Sequence, residues 1–228
     1  MASPLLIFDF DGVLVDSEVI YLDVEMAFLR ELGITVDWAS YVREFMALGP
    51  AQWRAKYAGL ILRETGEPLL DAGFEKLKSE SRRRVSEEMK PVEGAEAMLE
   101  RLTLDRCVAS STQLGFLHRK LDLIDFSRFF GDGVYSGDMV EHGKPAPDLF
   151  LHAAHCMGRV PGDDIVVIED SVNGVRGGKA AGHFVIGFTG GSHCRKGHGD
   201  MLEEAGADLV VDSHEALSDW ISEELRAA

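Results

Sequence analysis

Five short apolar runs, rich in β-branched and aromatic residues and bounded by turn formers, punctuate the chain: LLIFDF (5–10), RCVAS (106–110), DIVVIE (164–169), HFVIGF (183–188) and ADLVVD (207–212). Runs of this length and composition predict strands. Between and after them lie segments with helical spacing of apolar positions, at 94–102, 114–123, 147–157, 172–181 and 214–226. Strands that are apolar on both faces, alternating with helices, predict a parallel sheet covered on each side. The expected fold class is therefore α/β, a doubly wound parallel-sheet core.

One stretch breaks the alternation. From about residue 16 to residue 90 the pattern is helical throughout (VIYLDVEMAFLREL, AQWRAKYAGLIL, FEKLKSESRRRVSEEM), with no convincing buried strand. Gly12 on one side and KPVEG (90–94) on the other interrupt the periodicity and mark plausible hinges. The expected organisation is a core of 1–15 and 91–228 with a helical insertion, 16–90, following the first strand.

Composition narrows the partners. With 39 Asp and Glu against 23 Lys and Arg, the net charge of −16 repels nucleic acid and anionic lipid. Nearly half of the basic residues nevertheless fall in the insertion, which leaves room for a small anionic ligand there. The 3 cysteines are widely spaced and lack a CxxC pair, so neither a disulfide framework nor a cysteine-based zinc site is expected. A soluble cytoplasmic protein is the expectation, since no signal-type segment and no membrane-length apolar run is present.

The oddest polar residues sit where the predicted strands end, the edge at which open parallel sheets bind ligands. Asp9 and Asp11 close the first run, Ser110, Ser111 and Thr112 the second, and Glu169 and Asp170 the third, while Lys144 lies in a proline-bounded loop before a helix. Each has a plain alternative: Asp is common in turns, Ser110 or Ser111 could cap the following helix, and a loop lysine is usually solvated. Together the acids raise a difficulty, because carboxylates at positions i and i+2 of extended chain point the same way and need a cation or proton between them. Few, hard oxygen ligands suit Mg²⁺ better than zinc. The segment GGSHCRKGHGD (190–200) brings His193, Cys194 and His198 close in sequence, but their spacing is wrong for zinc and the glycines predict a surface loop.

DFDGVLVDS (9–17), VASS (108–111), GKPAPD (143–148) and VIEDSVNGV (167–175), in this order, resemble the four motifs of the haloacid dehalogenase superfamily. The resemblance spans nearly the whole chain, and the helical insertion resembles the cap of the subgroup holding β-phosphoglucomutase and phosphoglycolate phosphatase. It implies that Asp9 is a nucleophile forming an aspartyl-phosphate and that Asp11 is the general acid, then base. Ser110 and Lys144 would hold phosphoryl oxygens. Mg²⁺ would be bound by Asp9, the Asp11 carbonyl and Asp170, with Glu169 nearby or acting through water. Gly12, Ser111, Asn173 and Glu18 are the remaining candidates on the phosphate and substrate side. The dehalogenases that name the superfamily lack the second aspartate of the first motif and need no metal; Asp11 is present here, which argues for phosphoryl transfer.

The expected activity is a Mg²⁺-dependent phosphatase acting on a small phosphorylated metabolite, a sugar or sugar-acid phosphate, as a monomer or weak homodimer. A sugar phosphomutase of the β-phosphoglucomutase type shares the motifs. A receiver-type signalling module, also phosphorylated on aspartate, is disfavoured by the insertion and by Asp-x-Asp on the first strand. Substrate choice is expected in the insertion, at Glu18, Tyr21 and the segment 45–57, where Arg54 and Lys56, with Arg43 just before it, could meet a second anionic group.

Overall fold

The computed structural model describes residues 3–46, 48, 50–160 and 164–225. The chain divides into two compact units, one comprising Met1–Asp16 and Lys90–Ala228, the other Ser17–Met89.

The first unit is built on six parallel strands, β1 (Leu5–Phe8), β2 (Asp105–Ser110), β3 (Val134–Ser136), β4 (Ile165–Glu169), β5 (Phe184–Phe188) and β6 (Leu209–Val211), in the order β3-β2-β1-β4-β5-β6. The helices, numbered along the whole chain, are α1 (Glu18–Glu31), α2 (Trp38–Tyr41), α3 (Pro50–Thr65), α4 (Asp71–Glu88), α5 (Ala95–Arg101), α6 (Leu114–Leu123), α7 (Ser127–Phe130), α8 (Asp148–Cys156), α9 (Val172–Ala180), α10 (His198–Ala205) and α11 (His214–Trp220). Of these, α1 to α4 belong to the second unit.

The strands read as expected because both faces are covered. All four residues of LLIF in β1 are buried. Strand periodicity sends Leu5, Ile7, Cys107, Ala109, Ile165, Val167 and Val185 to one face, where they form a continuous core with Leu149, Phe150 and Ala153 of α8, Val175 of α9 and Leu202 of α10. Each large apolar side chain buried this way contributes about 1.5–3 kcal/mol. Strand β1 pairs with both β2 and β4, Ile7 standing opposite Cys107 on one side and Val167 on the other. The chain first builds outward from β1 through β2 to β3 and then crosses back to add β4 on the opposite side of β1. The ends of β1 and β4 thus flank the switch point where such sheets bind ligands.

Three elements, β3, α7 and α10, escape the sequence patterns. Strand β3 spans three residues, VYS, at an edge of the sheet and is too short to show alternation. Helix α10 starts inside the glycine-containing segment expected to be a loop; Gly197 at φ 89° precedes it and Gly206 at φ 109° ends it. The final predicted helix is α-helical only to Trp220, after which Ile221–Leu225 form a π-helical turn.

The base of the inserted segment is closed by pairing within the first unit. Val15 bridges to Pro91, and the Asp16 and Val92 N–H groups donate to Lys90 O (2.9 Å) and Leu14 O (3.0 Å).

The second unit, by itself, is helical among its described residues. Its core gathers Leu22, Val24 and Leu29 of α1 with Tyr41, Phe45, Tyr57, Ile61, Phe74 and Leu77. Tyr41 stacks on Phe45 at 4.4 Å and Trp53 on Tyr57 at 4.9 Å. Among the described residues, no helix is long and apolar enough to cross a membrane.

Candidate active site

The site is assembled by four chain segments converging at the carboxyl ends of β1, β2 and β4. Asp9 follows β1 directly, and its N–H donates to Ile168 O (2.9 Å), so it is locked beside the end of β4. Glu169 ends β4 and Asp170 follows it, and carboxylate oxygens of Asp9, Glu169 and Asp170 all lie within 4.8 Å of one another. Lys144, from the loop before α8, donates to Asp9 Oδ1 (2.5 Å), Glu169 Oε1 (2.5 Å) and Ala109 O (2.8 Å). The chain thus places two carboxylates and a backbone carbonyl around one ammonium, whose side chain is only 5% exposed. Glu169 is further fixed by the Ser171 hydroxyl (2.9 Å) and N–H (3.2 Å), and Gly174 leaves space for it, since a Cβ there would overlap the Glu169 carboxyl group.

The charges do not balance. Asp9 and Glu169 share Lys144, with Asp170 close by, and burial pushes the Asp9 carboxyl well above the usual carboxylate range; Lys144 opposes this, while Glu169, Asp170 and Asp11 add to it. Asp170 is raised likewise, by burial first and by Glu169 next. For Lys144 burial works against the charge, but Asp9 and Glu169 outweigh it and hold the ammonium above its ordinary value. An oxygen-only, buried set of three carboxylates fits a hard divalent cation such as Mg²⁺.

Asp11 is held separately. Its Oδ2 accepts from the Thr112 hydroxyl (2.7 Å) and its Oδ1 from the ammonium of Lys120, a fully buried lysine of α6. Ser110 is buried beside them, but it does not cap α6: its hydroxyl accepts from Thr112 N–H (3.0 Å), whereas the first N–H of α6, that of Leu114, donates to Asp138 (3.1 Å). Ser136 donates to Thr112 O (2.7 Å) and steadies the same turn. The sequence reading did not include Lys120, Ser136 or Ser171. The single usable signal was the DSxxG pattern of Ser171 to Gly174, a helix cap in which Ser171 accepts from Gly174 N–H (3.0 Å).

The segment 190–200 is only in part the surface loop expected from its glycines: Ser192 and 195–197 are exposed, but both histidines turn inward. His193 is fully buried and His198 is 8% exposed. His193 Nε2 lies 3.0 Å from Asp170 Oδ2, and His198 Nε2 lies 2.6 Å from Asp170 O. The Ser192 N–H (3.0 Å) and hydroxyl both donate to Asp16, docking the segment against the end of the first motif. The physical reason is the sheet order, which sets the loop after β5 beside the end of β4.

Not every candidate joins the cluster. Ser111 is exposed, and Asn173 lies in the first turn of α9. Gly12 adopts φ 84°, a left-handed conformation that suits glycine, directly beside Asp170. Glu18 and Tyr21 belong to the second unit, at the start of α1. Within that unit Arg54 pairs with Asp71 (2.6 Å) and Lys56 with Glu44 (3.1 Å), so both cations are already matched to acids. Ala47, Gly49 and the Arg43 side chain lie outside the described residues.

Residues 4–182 match the family model of the haloacid dehalogenase-like hydrolases. The chain belongs to this family. It is an enzyme, a haloacid dehalogenase-like hydrolase of phosphatase type, and the expected doubly wound core is the one it has. This hydrolase is 30% identical over 187 residues, 82% of each chain, to a 6-phosphogluconate phosphatase of Escherichia coli. It is 30% identical over 224 residues, 93% of this chain and 95% of the relative, to a phosphorylated carbohydrates phosphatase of Thermotoga maritima. Among solved structures, a haloacid dehalogenase-like protein of unknown function from Agrobacterium tumefaciens superposes with a TM-score of 0.87 at 35% identity, covering 97% of this chain and 98% of that one.

Proposed function

We propose that the chain is a Mg²⁺-dependent phosphatase that hydrolyses a sugar or sugar-acid phosphate through an aspartyl-phosphate on Asp9. The observation that carries this reading is the meeting of Asp9, Glu169 and Asp170 at the switch point of the sheet, with Lys144 bound to the first two. The substrate class draws on two relatives, each 30% identical, whose names specify a phosphogluconate and phosphorylated carbohydrates.

An oxygen of Asp9 attacks phosphorus and the ester P–O bond breaks, with Asp11, once protonated and released from Lys120 or Thr112, giving that proton to the departing alkoxide. In the second half, Asp11 takes a proton from water as the water oxygen attacks phosphorus; the P–O bond to Asp9 breaks, and inorganic phosphate and the free carboxylate are restored. Splitting the reaction makes each half easier, and a positioned proton shuttle contributes about 10²–10⁴-fold. Lys144 and Ser110 hold phosphoryl oxygens, and Gly12 lets the backbone approach them. A magnesium ion held by Asp9, Asp170 and the Asp11 carbonyl, with Glu169 beside it, would supply positive charge to the transferring phosphoryl group. Substrate choice is assigned to the helical unit Ser17–Met89, with Glu18 and Tyr21 as first candidates, and a reducing cytoplasm suits three cysteines that form no disulfide.

The test is a panel of hexose, pentose and sugar-acid phosphates with Mg²⁺, following free phosphate and isomer formation together. Phosphate release that falls by about 10³-fold or more in Asp9→Asn is expected. Isomer without phosphate would replace hydrolysis by a mutase, and a stable phosphoprotein without turnover would overturn both.

A further inference from the structure

Asp170 is gripped from two directions by one segment of chain, and this grip has no part in the chemistry set out above. His193 and His198 both come from the segment that follows β5, and their rings stand perpendicular with centroids 5.5 Å apart. His193 Nε2 meets the carboxylate of Asp170 at Oδ2 (3.0 Å), and His198 Nε2 meets its backbone carbonyl (2.6 Å).

Space has been cleared for this contact. A Cβ on Gly12 would overlap Asp170 Oδ2 and stand 2.8 Å from His193 Cε1. A Cβ on Gly191 would stand 2.8 Å from His193 Cε1 and Nδ1 and 2.7 Å from Gly12 O. Two glycines on separate segments therefore leave the room in which the imidazole and the carboxylate touch, and Ser192, bound to Asp16, holds the segment in place.

The same segment could be mistaken for a transition-metal site, since donor atoms of His193, Cys194 and His198 lie within 4.8 Å of one another. Two of its ring nitrogens are instead engaged with Asp170. A carbonyl oxygen only accepts, so His198 Nε2 carries the hydrogen it gives to Asp170 O, which leaves only Nδ1 with a lone pair. Cys194 Sγ, 3.3 Å from His193 Nε2, is a lateral contact of an imidazole already directed at Asp170.

We propose that His193 and His198 are positioning residues for Asp170, His193 taking one carboxylate oxygen so that the other is turned toward Asp9 and Glu169, and His198 fixing the backbone beneath it. This rests on the reading of Asp170 as a ligand of the divalent cation. Groups that orient metal-binding carboxylates in this way typically account for about 10–100-fold in metal affinity.

The experiment is a divalent-ion binding titration, with Mn²⁺ followed by electron paramagnetic resonance and displaced by Mg²⁺, on the full chain and on His193→Gln, His193→Asn and His198→Gln. Thermal unfolding in a chelator and steady-state kinetics at saturating Mg²⁺ accompany it. Gln carries an N–H at about the reach of Nε2, whereas the amide of Asn stops near the position of Nδ1 and cannot touch Oδ2. His193→Asn is expected to bind the ion about 10–100-fold more weakly, with substrate KM changed by less than about 2-fold once Mg²⁺ is saturating, and His193→Gln to recover most of the affinity. His198→Gln is expected to show a smaller loss. Equal affinity for His193→Asn and the parent, with only a lower melting temperature, would reduce His193 to a packing residue and overturn the proposal. Equal loss in Asn and Gln would overturn it too. A parent protein that binds no divalent ion would instead remove the metal reading of Asp170 itself, and the positioning role with it.

Discussion

Gly174 shows how much can hang on a missing side chain. Replacing it by Ala would drive a Cβ into the Glu169 carboxyl group, and Glu169 cannot retreat without leaving Lys144 and Ser171. Gly174→Ala is expected to cost about 1–3 kcal/mol by urea unfolding and to depress turnover together with it. In the second unit Glu25 carries a different strain: its carboxyl accepts from the Tyr41 hydroxyl (2.7 Å), and burial raises it from 4.5 to about 7. The protonated form is favoured in the folded state, so its contribution is complete below pH 4.5 and is lost as pH rises through about 7. Unfolding measured across this window should show a loss of up to about 3 kcal/mol that Glu25→Gln removes; an unchanged profile in the variant would refute it. His214 has the opposite sign, since burial against Phe188 pushes it down to about 4 and its contribution fades as pH falls below 6.5. Residues that end apolar runs, such as Asp9 and Glu169, were legible because several such acids fall at predicted strand ends together, although each alone has a plain explanation as a turn residue. Lys120 was not: its partner Asp11 is 109 positions away, and on its own helix it looks like any other lysine.

At the scale of elements, legibility followed the apolar, β-branched run rather than length, since β6 is as short as β3 yet showed itself in ADLVVD. Strands β1, β2, β4 and β5 announced themselves because each carries several consecutive buried apolar residues. The three residues of β3 could not, and glycines hid α10 although its DMLEEA stretch favours helix. Helix α6 matters most for the site, because it delivers Lys120 to Asp11. Lys120→Met, which keeps the volume and removes the charge, is expected to cost about 3 kcal/mol in urea unfolding, since it leaves Asp11 short of a buried partner. A loss under about 1 kcal/mol would show that Thr112 suffices to hold Asp11.

For the whole molecule, a cation held by Asp9, Glu169 and Asp170, as proposed, would tie folding stability to the ion. Any ion that binds only the folded chain stabilises it by about 2.7 kcal/mol at a hundredfold its dissociation constant. For a chain of this size that corresponds to a melting temperature about 5–10 °C lower in chelator than in saturating Mg²⁺, and Asp170→Asn should abolish the difference. A parent protein indifferent to Mg²⁺ would contradict the cation reading while leaving the fold untouched.

The sequence by itself determined the alternation of strand and helix, the parallel sheet that follows from it, and the polar residues at the strand ends, because each of these is written in neighbouring positions. Hydrophobic period and turn residues are local, and local signals survive in a linear chain. The tertiary structure alone decided which distant groups meet: that Lys144 divides itself between Asp9 and Glu169, that Lys120 and Thr112 take Asp11, and that a glycine-containing segment turns two histidines inward onto Asp170. Those meetings depend on the order of strands in the sheet, and no run of adjacent residues carries that order.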